Sequence, residues 1–233
     1  MKCPTSRFAR MDVHEVGSTQ TLAAKLLMAG SAPGLIVADL QTEGRGRFGR
    51  SWFSAPGESL CMSLIFHDYA NHPKPWLIGM ASAIAAAGAI RSQLQWPNDL
   101  TIGGRKTGGL LTEMLPDAAG RKIPVVGIGI NLLQETFPDE IRERATSVKL
   151  ARGVSLDREA IVTDILERLK RLPEPDAWPS LQPAWQCFDD TPGKRYRLPD
   201  GQVAVALGIG PEGELIGSLE GETVTIMAAE AFF

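Results

Sequence analysis

Cysteine is scarce in this chain. Cys3, Cys61 and Cys187 are the three among 233 residues. They are odd in number and far apart, which excludes a disulfide framework and any metal-ligand spacing. Reduced thiols in a cytoplasmic protein are the default. Histidine is equally thin: His14, His67 and His72 form no metal pattern and read as structural or surface residues. No run approaches the ~20 apolar residues of a membrane helix. Met1 to Arg7 lacks the apolar core of a secretory signal. There is no internal repeat and no low-complexity linker. Positive charge is not in excess either; the net charge is −3, which argues against a general polyanion binder.

What remains is an ordinary globular composition, 44% hydrophobic and 22% charged. The length fits one larger domain and a small one. Charge is unevenly divided. Residues 1–110 carry 11 basic and 7 acidic side chains, residues 111–233 carry 13 and 20. The N-terminal half is therefore the place to look for an anionic ligand.

That half holds the stretch Gln41-Thr42-Glu43-Gly44-Arg45-Gly46-Arg47-Phe48-Gly49-Arg50-Ser51-Trp52. Glycine lets a backbone approach a ligand closely, and arginine offers a permanent charge on a planar fork of donors. The segment reads as a cationic loop closing over an anion, with Trp52 beside it to stack on a flat ring. Apolar, strand-like runs flank it at Leu35–Leu40 and Ser59–Phe66.

Further elements follow from pattern. Met11–Val16 reads as a strand and Gln20–Ala29 as a helix capped by Ser18 or Thr19. Pro73–Gln93, with its alanine-rich centre, reads as a helix packed closely on a sheet. Gly103-Gly104 marks a hairpin, and Pro124–Leu132 is a glycine-dotted strand. Asp157–Leu172 is an amphipathic helix, and Ala177–Phe188 a shorter one. Near Asp190 the composition shifts to short strands and turns, so residues 1–190 and 191–233 are expected as two domains.

Five motifs stand in order: Gly17-Ser18-Thr19-Gln20, the Gln41–Trp52 loop, Trp96-Pro97-Asn98-Asp99, Arg105-Lys106-Thr107-Gly108-Gly109 and Gly127-Ile128-Gly129-Ile130-Asn131. Together they resemble the biotin protein ligases along essentially the whole chain. The resemblance implies an α+β fold: a mixed, mainly antiparallel sheet backed by helices, of the class II synthetase-like kind, with a small SH3-like C-terminal β-barrel. It implies activation of biotin by ATP to biotinyl-AMP, with Mg²⁺, then transfer to a lysine of an apo biotin carboxyl carrier domain. A related lipoate or octanoate transferase and a non-catalytic biotin sensor are the alternatives.

By the same resemblance Arg45 and Lys106 are the catalytic cations. Ser18, Thr19, Gln20, Gln41, Gly44, Arg45, Gly46, Arg47, Lys106, Gly108, Gly109, Gly127 and Gly129 would meet biotin. Arg45, Arg47, Arg50, Trp52, Asn98, Lys106 and Asn131 would meet the nucleotide, and Asn98 with Asp99 would organise Mg²⁺. Plainer roles stand beside these: a surface hairpin lysine at Lys106, a helix cap at Ser18 or Thr19, a core tryptophan at Trp52, a turn at Pro97-Asn98-Asp99 and a strand-end amide at Asn131.

Some positions depart from the familiar pattern. Gln20 stands where Asn is common, Glu43 where Ala is, Phe48 where Arg is in some members, and Gln95 where Lys is usual. The Ala229–Phe233 ending is a weak match to the usual Gly-Glu-Val. The pattern begins within the first 20 residues, which leaves no room for an N-terminal helix-turn-helix, so sequence-specific DNA binding is not expected. Monomer and homodimer both remain open.

Overall fold

The computed structural model describes residues 9–227 and the backbone of 230–231. The side chains of the Ala229–Phe233 ending lie outside the described residues. The chain opens with β1 (Arg10–Val16), α1 (Thr19–Met28) and β2 (Leu35–Gln41). Then come β3 (Ser59–Ile65), α2 (Pro75–Ile90), β4 (Gln93–Gln95), β5 (Asp99–Ile102), β6 (Arg105–Pro116) and β7 (Lys122–Asn131). Helices α3 (Val148–Arg152), α4 (Arg158–Arg171) and α5 (Trp178–Gln186) follow. Strands β8 (Arg195–Arg197), β9 (Val203–Ile209), β10 (Leu215–Leu219), β11 (Glu222–Ile226) and β12 (Glu230–Ala231) complete it.

The seven-stranded sheet runs β1-β2-β3-β7-β6-β5-β4. β1 and β2 are parallel, because α1 carries the chain back between them. The other described pairings are antiparallel; four join consecutive strands, and β3–β7 closes the sheet across α2 and the β4–β6 strands. Gly103 and Gly104, at φ 59° and 75°, make the β5–β6 turn. Two positive φ values are what the tight hairpin turn of matching twist requires. The expected helix Pro73–Gln93 is shorter than its pattern. It ends at Ile90, and Gln93 already pairs with Thr101 in β4.

β7 shows how this sheet makes room for a site. Val126, Ile128 and Ile130 point to one face and are buried in the main core beside α2. The opposite face begins with Ile123 and Val125, which pack with Ala23 and Leu27 of α1. Then side-chain bulk disappears at Gly127 and Gly129. α1 thus covers the first half of that face, and the second half is left for a cavity. On the other side of the sheet α2 lies close. A Cβ at Gly79 would come within 2.2 Å of the Thr112 hydroxyl on β6.

The small sheet runs β11-β10-β9-β8-β12. Its inner side chains do not form a core of their own. Tyr196, Ala204, Leu215 and Ile226 join Trp96, Trp178 and Trp185 in the main cluster. Trp96 meets Tyr196 edge-on at 6.0 Å and donates its indole N–H to the Gly213 carbonyl at 2.9 Å. Some 40 residues would bury too little surface alone; sharing the core of the larger sheet compensates.

The sheet edge is tied down by charge. Arg10 bonds Asp12 and Glu159, and its guanidinium holds the Glu159 carboxyl below the usual range. His14 and then Arg158 do the same for Asp39. A carboxyl with a depressed folded pKa stabilises above its unfolded value and loses that contribution as pH falls through the folded one. Amide protection in β1, corrected for intrinsic exchange, is therefore expected to fall below about pH 4 before the buried strands β3 and β7 respond. Simultaneous loss in all strands would contradict this.

Candidate functional site

A cavity of about 480 Å³ opens on the glycine face of β6 and β7. Ser18, Thr19, Gln20, Gln41, Arg45, Gly46, Arg47, Arg50, Trp52, Asn98, Asp99, Lys106, Gly109, Gly127, Gly129 and Asn131 all line it. The five separated motifs therefore converge. Gly44 and Gly108 lie outside the lining. A Cβ at Gly44 would strike the Trp52 carbonyl at 2.5 Å, and one at Gly108 would strike the Gly129 carbonyl at 2.8 Å. These two glycines serve backbone packing.

The cavity glycines seat side chains of the protein itself. Gly127 lies under the Gln20 side chain, whose Cγ would be 3.1 Å from an added Cβ. Gly129 lies under the Trp52 indole at 2.5 Å, and Gly109 under Lys106 and Asp99 at 3.2 and 3.4 Å. The space expected for a bicyclic ring is thus partly taken by the groups that would recognise a ligand.

Polar groups at the α1 end are buried and interlocked. Ser18 is the N-cap residue by position, but its side chain makes no capping bond. The Thr19 amide instead donates to Gln41 Oε1 at 2.8 Å, and the Thr19 hydroxyl donates to the same oxygen at 3.0 Å. Ser63 Oγ donates to Thr19 Oγ1 at 2.8 Å. At the other end Asn131 donates to the Thr146 carbonyl at 3.1 Å and accepts from Gln134. It satisfies backbone at a strand end while lining the cavity.

The arginine loop is a small hairpin. Thr42 and Glu43 donate to the Val16 and Gly17 carbonyls, Gly46 to Arg50, and Trp52 to Gly44. Its tip is a 3-10 turn at Arg47–Gly49, with Phe48 left-handed at φ 56°. The Phe48 ring supports the Arg47 guanidinium at 4.8 Å. Glu43 points outward against Gly17 and is absent from the lining, so its charge does not enter the cavity.

The two expected catalytic cations have different carboxylate partners. Lys106 Nζ lies 2.5 Å from Asp99 Oδ1, and Arg45 Nη2 lies 2.7 Å from Glu113 Oε1. Gly109, beside the first pair, and Glu113, in the second, are separated by roughly 13 Å of strand at about 3.3 Å per residue. Lys106 is not a loose hairpin lysine. Its amide donates to the Arg144 carbonyl and its carbonyl accepts from Thr146, both at 2.8 Å. The strand is clamped at the point from which the side chain leaves.

Asn98 and Asp99 do not fit a protein-held Mg²⁺ site. Asn98 Oδ1 accepts from Arg47 at 3.1 Å and Asp99 pairs with Lys106. A divalent ion there would face two fixed cations. No cluster of three or more acidic, histidine or cysteine ligands occurs among the described residues. Mg²⁺ is ordinarily held largely by substrate phosphates and water in such sites.

Several lining residues escaped the sequence reading. Arg144 comes from a mixed-charge run, Asp139 to Arg144, that looks like a solvated face. Arg197 reaches the cavity from β8 of the small sheet, which no local pattern links to the larger one. Phe137, Ile141 and Phe53 add an apolar rim, with Phe53 and Phe137 edge to face at 6.3 Å. Cys61, opposite Gly129 in the register, is buried, and burial pushes its thiol up to about 11. It is no nucleophile at neutral pH.

Comparison with known proteins decides the family. A model described as the biotin/lipoate A/B protein ligase family matches residues 15–131. The chain belongs to this family. The matched span runs from the residues before α1 to the end of β7, and so includes all five motifs. Within the biotin/lipoate ligases, the chain is 39% identical over 160 residues to a Bacillus spizizenii protein named bifunctional ligase/repressor BirA, covering 65% of this chain and 49% of that one. It thus spans about half the length of that relative. A Mycobacterium tuberculosis protein named biotin–[acetyl-CoA-carboxylase] ligase is 29% identical over 237 residues, covering 94% and 86%. Among solved structures, the biotin protein ligase of Aquifex aeolicus in complex with biotin and ATP superposes with a TM-score of 0.77 at 26% identity, covering 96% and 97%.

Proposed function

We propose that this family member is an ATP-dependent biotin–protein ligase acting in the cytoplasm. The observation that carries the reading is the charge of the cavity. Arg45, Arg47, Arg50, Lys106, Arg144 and Arg197 line it; among the described lining residues Asp99 is the one carboxylate, and Glu113 meets Arg45 from outside the lining. Such a wall suits a reaction between two anions, a carboxylate and a triphosphate, which repel each other in water. The named activities of the Mycobacterium and Aquifex proteins point the same way.

In the first step a biotin carboxylate oxygen attacks the α-phosphorus of ATP. A C(O)–O–P bond forms, the α–β bridging bond breaks, and pyrophosphate leaves. Lys106, clamped at its backbone and facing Gly109, offsets charge on the α-phosphoryl oxygens. Arg45 serves the carboxylate. Arg47, Arg50, Arg144 and Arg197 serve the departing pyrophosphate. Thr19, Gln20 and Gln41 supply the donors and acceptors that burying a ureido ring demands, and Trp52 is the platform for adenine. In the second step the amine of a carrier lysine attacks the acyl carbon, an amide forms, and AMP departs.

We assign the chemistry to residues 1–190, with residues 191–233 contributing Arg197. The test is pyrophosphate release measured with biotin, ATP and an apo carrier domain, each omitted in turn. Release requiring both biotin and ATP, followed by biotin transfer to the carrier, is expected. Equal release with lipoate in place of biotin would overturn the substrate assignment.

A further inference from the structure

Glu113 lies on the cavity-facing side of β6, two residues beyond Leu111, yet outside the lining. Both of its oxygens are engaged by cavity residues from other elements. Oε1 accepts from Arg45 Nη2 at 2.7 Å, and Oε2 accepts from Gln20 Nε2 at 3.1 Å. Gln20 is buried, lies over Gly127, and donates also to the Leu111 carbonyl at 3.0 Å. Its oxygen lies 3.3 Å from the Ser63 hydroxyl. A carboxylate is thus held between the buried amide of α1 and a guanidinium of the arginine loop. The methylene by which Gln20 exceeds Asn contributes to this reach. A planar guanidinium fork is built to take a carboxylate, and Glu113 supplies one from within the chain.

We propose that Glu113 is a positioning residue that occupies Arg45 until the carboxylate of the acyl substrate replaces it, and so weakens the apparent affinity for that substrate. The identity of the carboxylate as biotin's rests on the reading above; the latch on the loop does not. Arg45 is half-exposed and Glu113 partly buried, so the pair belongs to the modest class of ion pairs. Breaking it shifts an equilibrium by roughly two- to fivefold.

The experiment compares the intact protein with Glu113→Gln, which keeps the shape and removes the charge. Trypsin cleavage after Arg45, Arg47 and Arg50 is followed by mass spectrometry without substrates, and the KM for biotin and kcat are measured in parallel. The expected result is loop cleavage and biotin affinity both raised roughly two- to fivefold, with kcat little changed. Unchanged cleavage together with unchanged KM overturns the proposal. So does a lower kcat at unchanged KM, which is what a merely structural role would give. If Glu113→Gln does not fold, Glu113→Asp withdraws the carboxylate by one methylene and must raise cleavage in the same direction. Should the intact protein show no biotin activation at all, the ligase reading fails while faster cleavage of the variant still supports the latch.

Discussion

Replacing Lys106 by alanine is expected to lower biotin-dependent pyrophosphate release by about 10²–10³, with the protein still folded. Two effects act in the same direction. The cavity loses a cation whose backbone N–H and C=O are both held by residues 144–146. It also uncovers Asp99, whose side chain is only 10% exposed and pairs with Lys106. A buried carboxylate without its partner costs stability and repels an incoming phosphate. The substitution therefore turns an attractive wall into a repulsive one. Lys106→Ala combined with Asp99→Asn should recover part of the loss, since the exposed negative charge is removed while the missing cation is not. Steady-state kinetics with thermal melts separate this from misfolding. Activity within twofold of the parent would return Lys106 to the status of an ordinary hairpin lysine.

Gly129→Ala carries the second large effect. Its new Cβ would lie 2.5 Å from Trp52 Cε2 and 2.8 Å from Cζ2, closer than atoms tolerate. Ile128 and Ile130 on the far face are fully packed in the core, so β7 has little freedom to retreat and the indole must move. If Trp52 carries adenine, displacing it removes a stacking contribution of about 1–3 kcal/mol, or a roughly 5- to 150-fold rise in the KM for ATP. Overpacking adds a stability cost of about 1–3 kcal/mol. Tryptophan fluorescence reports the displacement, and the KM for biotin should change less. A KM for ATP that stays constant while Trp52 fluorescence shifts would show that the indole does not meet the nucleotide.

Much of the cavity was legible because its glycines and arginines are written in local motifs. Gly127-Ile128-Gly129 alternates within one strand, and the pleat sends one set of side chains to the core and leaves the other face bare. The sequence marks that bareness but not its occupant, so Gln20 and Trp52, which fill it, were expected as neighbours of a ligand rather than as tenants of the glycines. The loop was legible as a loop. Its hairpin bonds and the left-handed Phe48 were not, since they depend on carbonyls of Val16 and Gly17 distant in sequence. Glu43 and Phe48, opaque as letters, become simple in space: one points away from the cavity and the other props Arg47.

Charge partners were the hardest to read. Glu113 sits in an alternating strand where an acidic residue reads as a solvated position, and its engagement with Arg45 spans 68 residues of sequence. Arg144 and Arg197 are hidden for the same reason. No periodicity announces that a run after β7, or a strand of the second sheet, returns to the first. The helix cap expected of Ser18 or Thr19 is replaced by Gln41, because its part-buried amide oxygen already stands at the α1 N-terminus.

On the proposed function, this cavity joins a carboxylate to a nucleotide before any carrier arrives. The most direct measurement incubates the protein with biotin and ATP alone, removes free ligand, and identifies what stays bound by mass spectrometry. Biotinyl-5′-AMP is expected, formed with release of pyrophosphate and strongly diminished in Lys106→Ala. Biotin and ATP recovered unchanged from folded protein would contradict it.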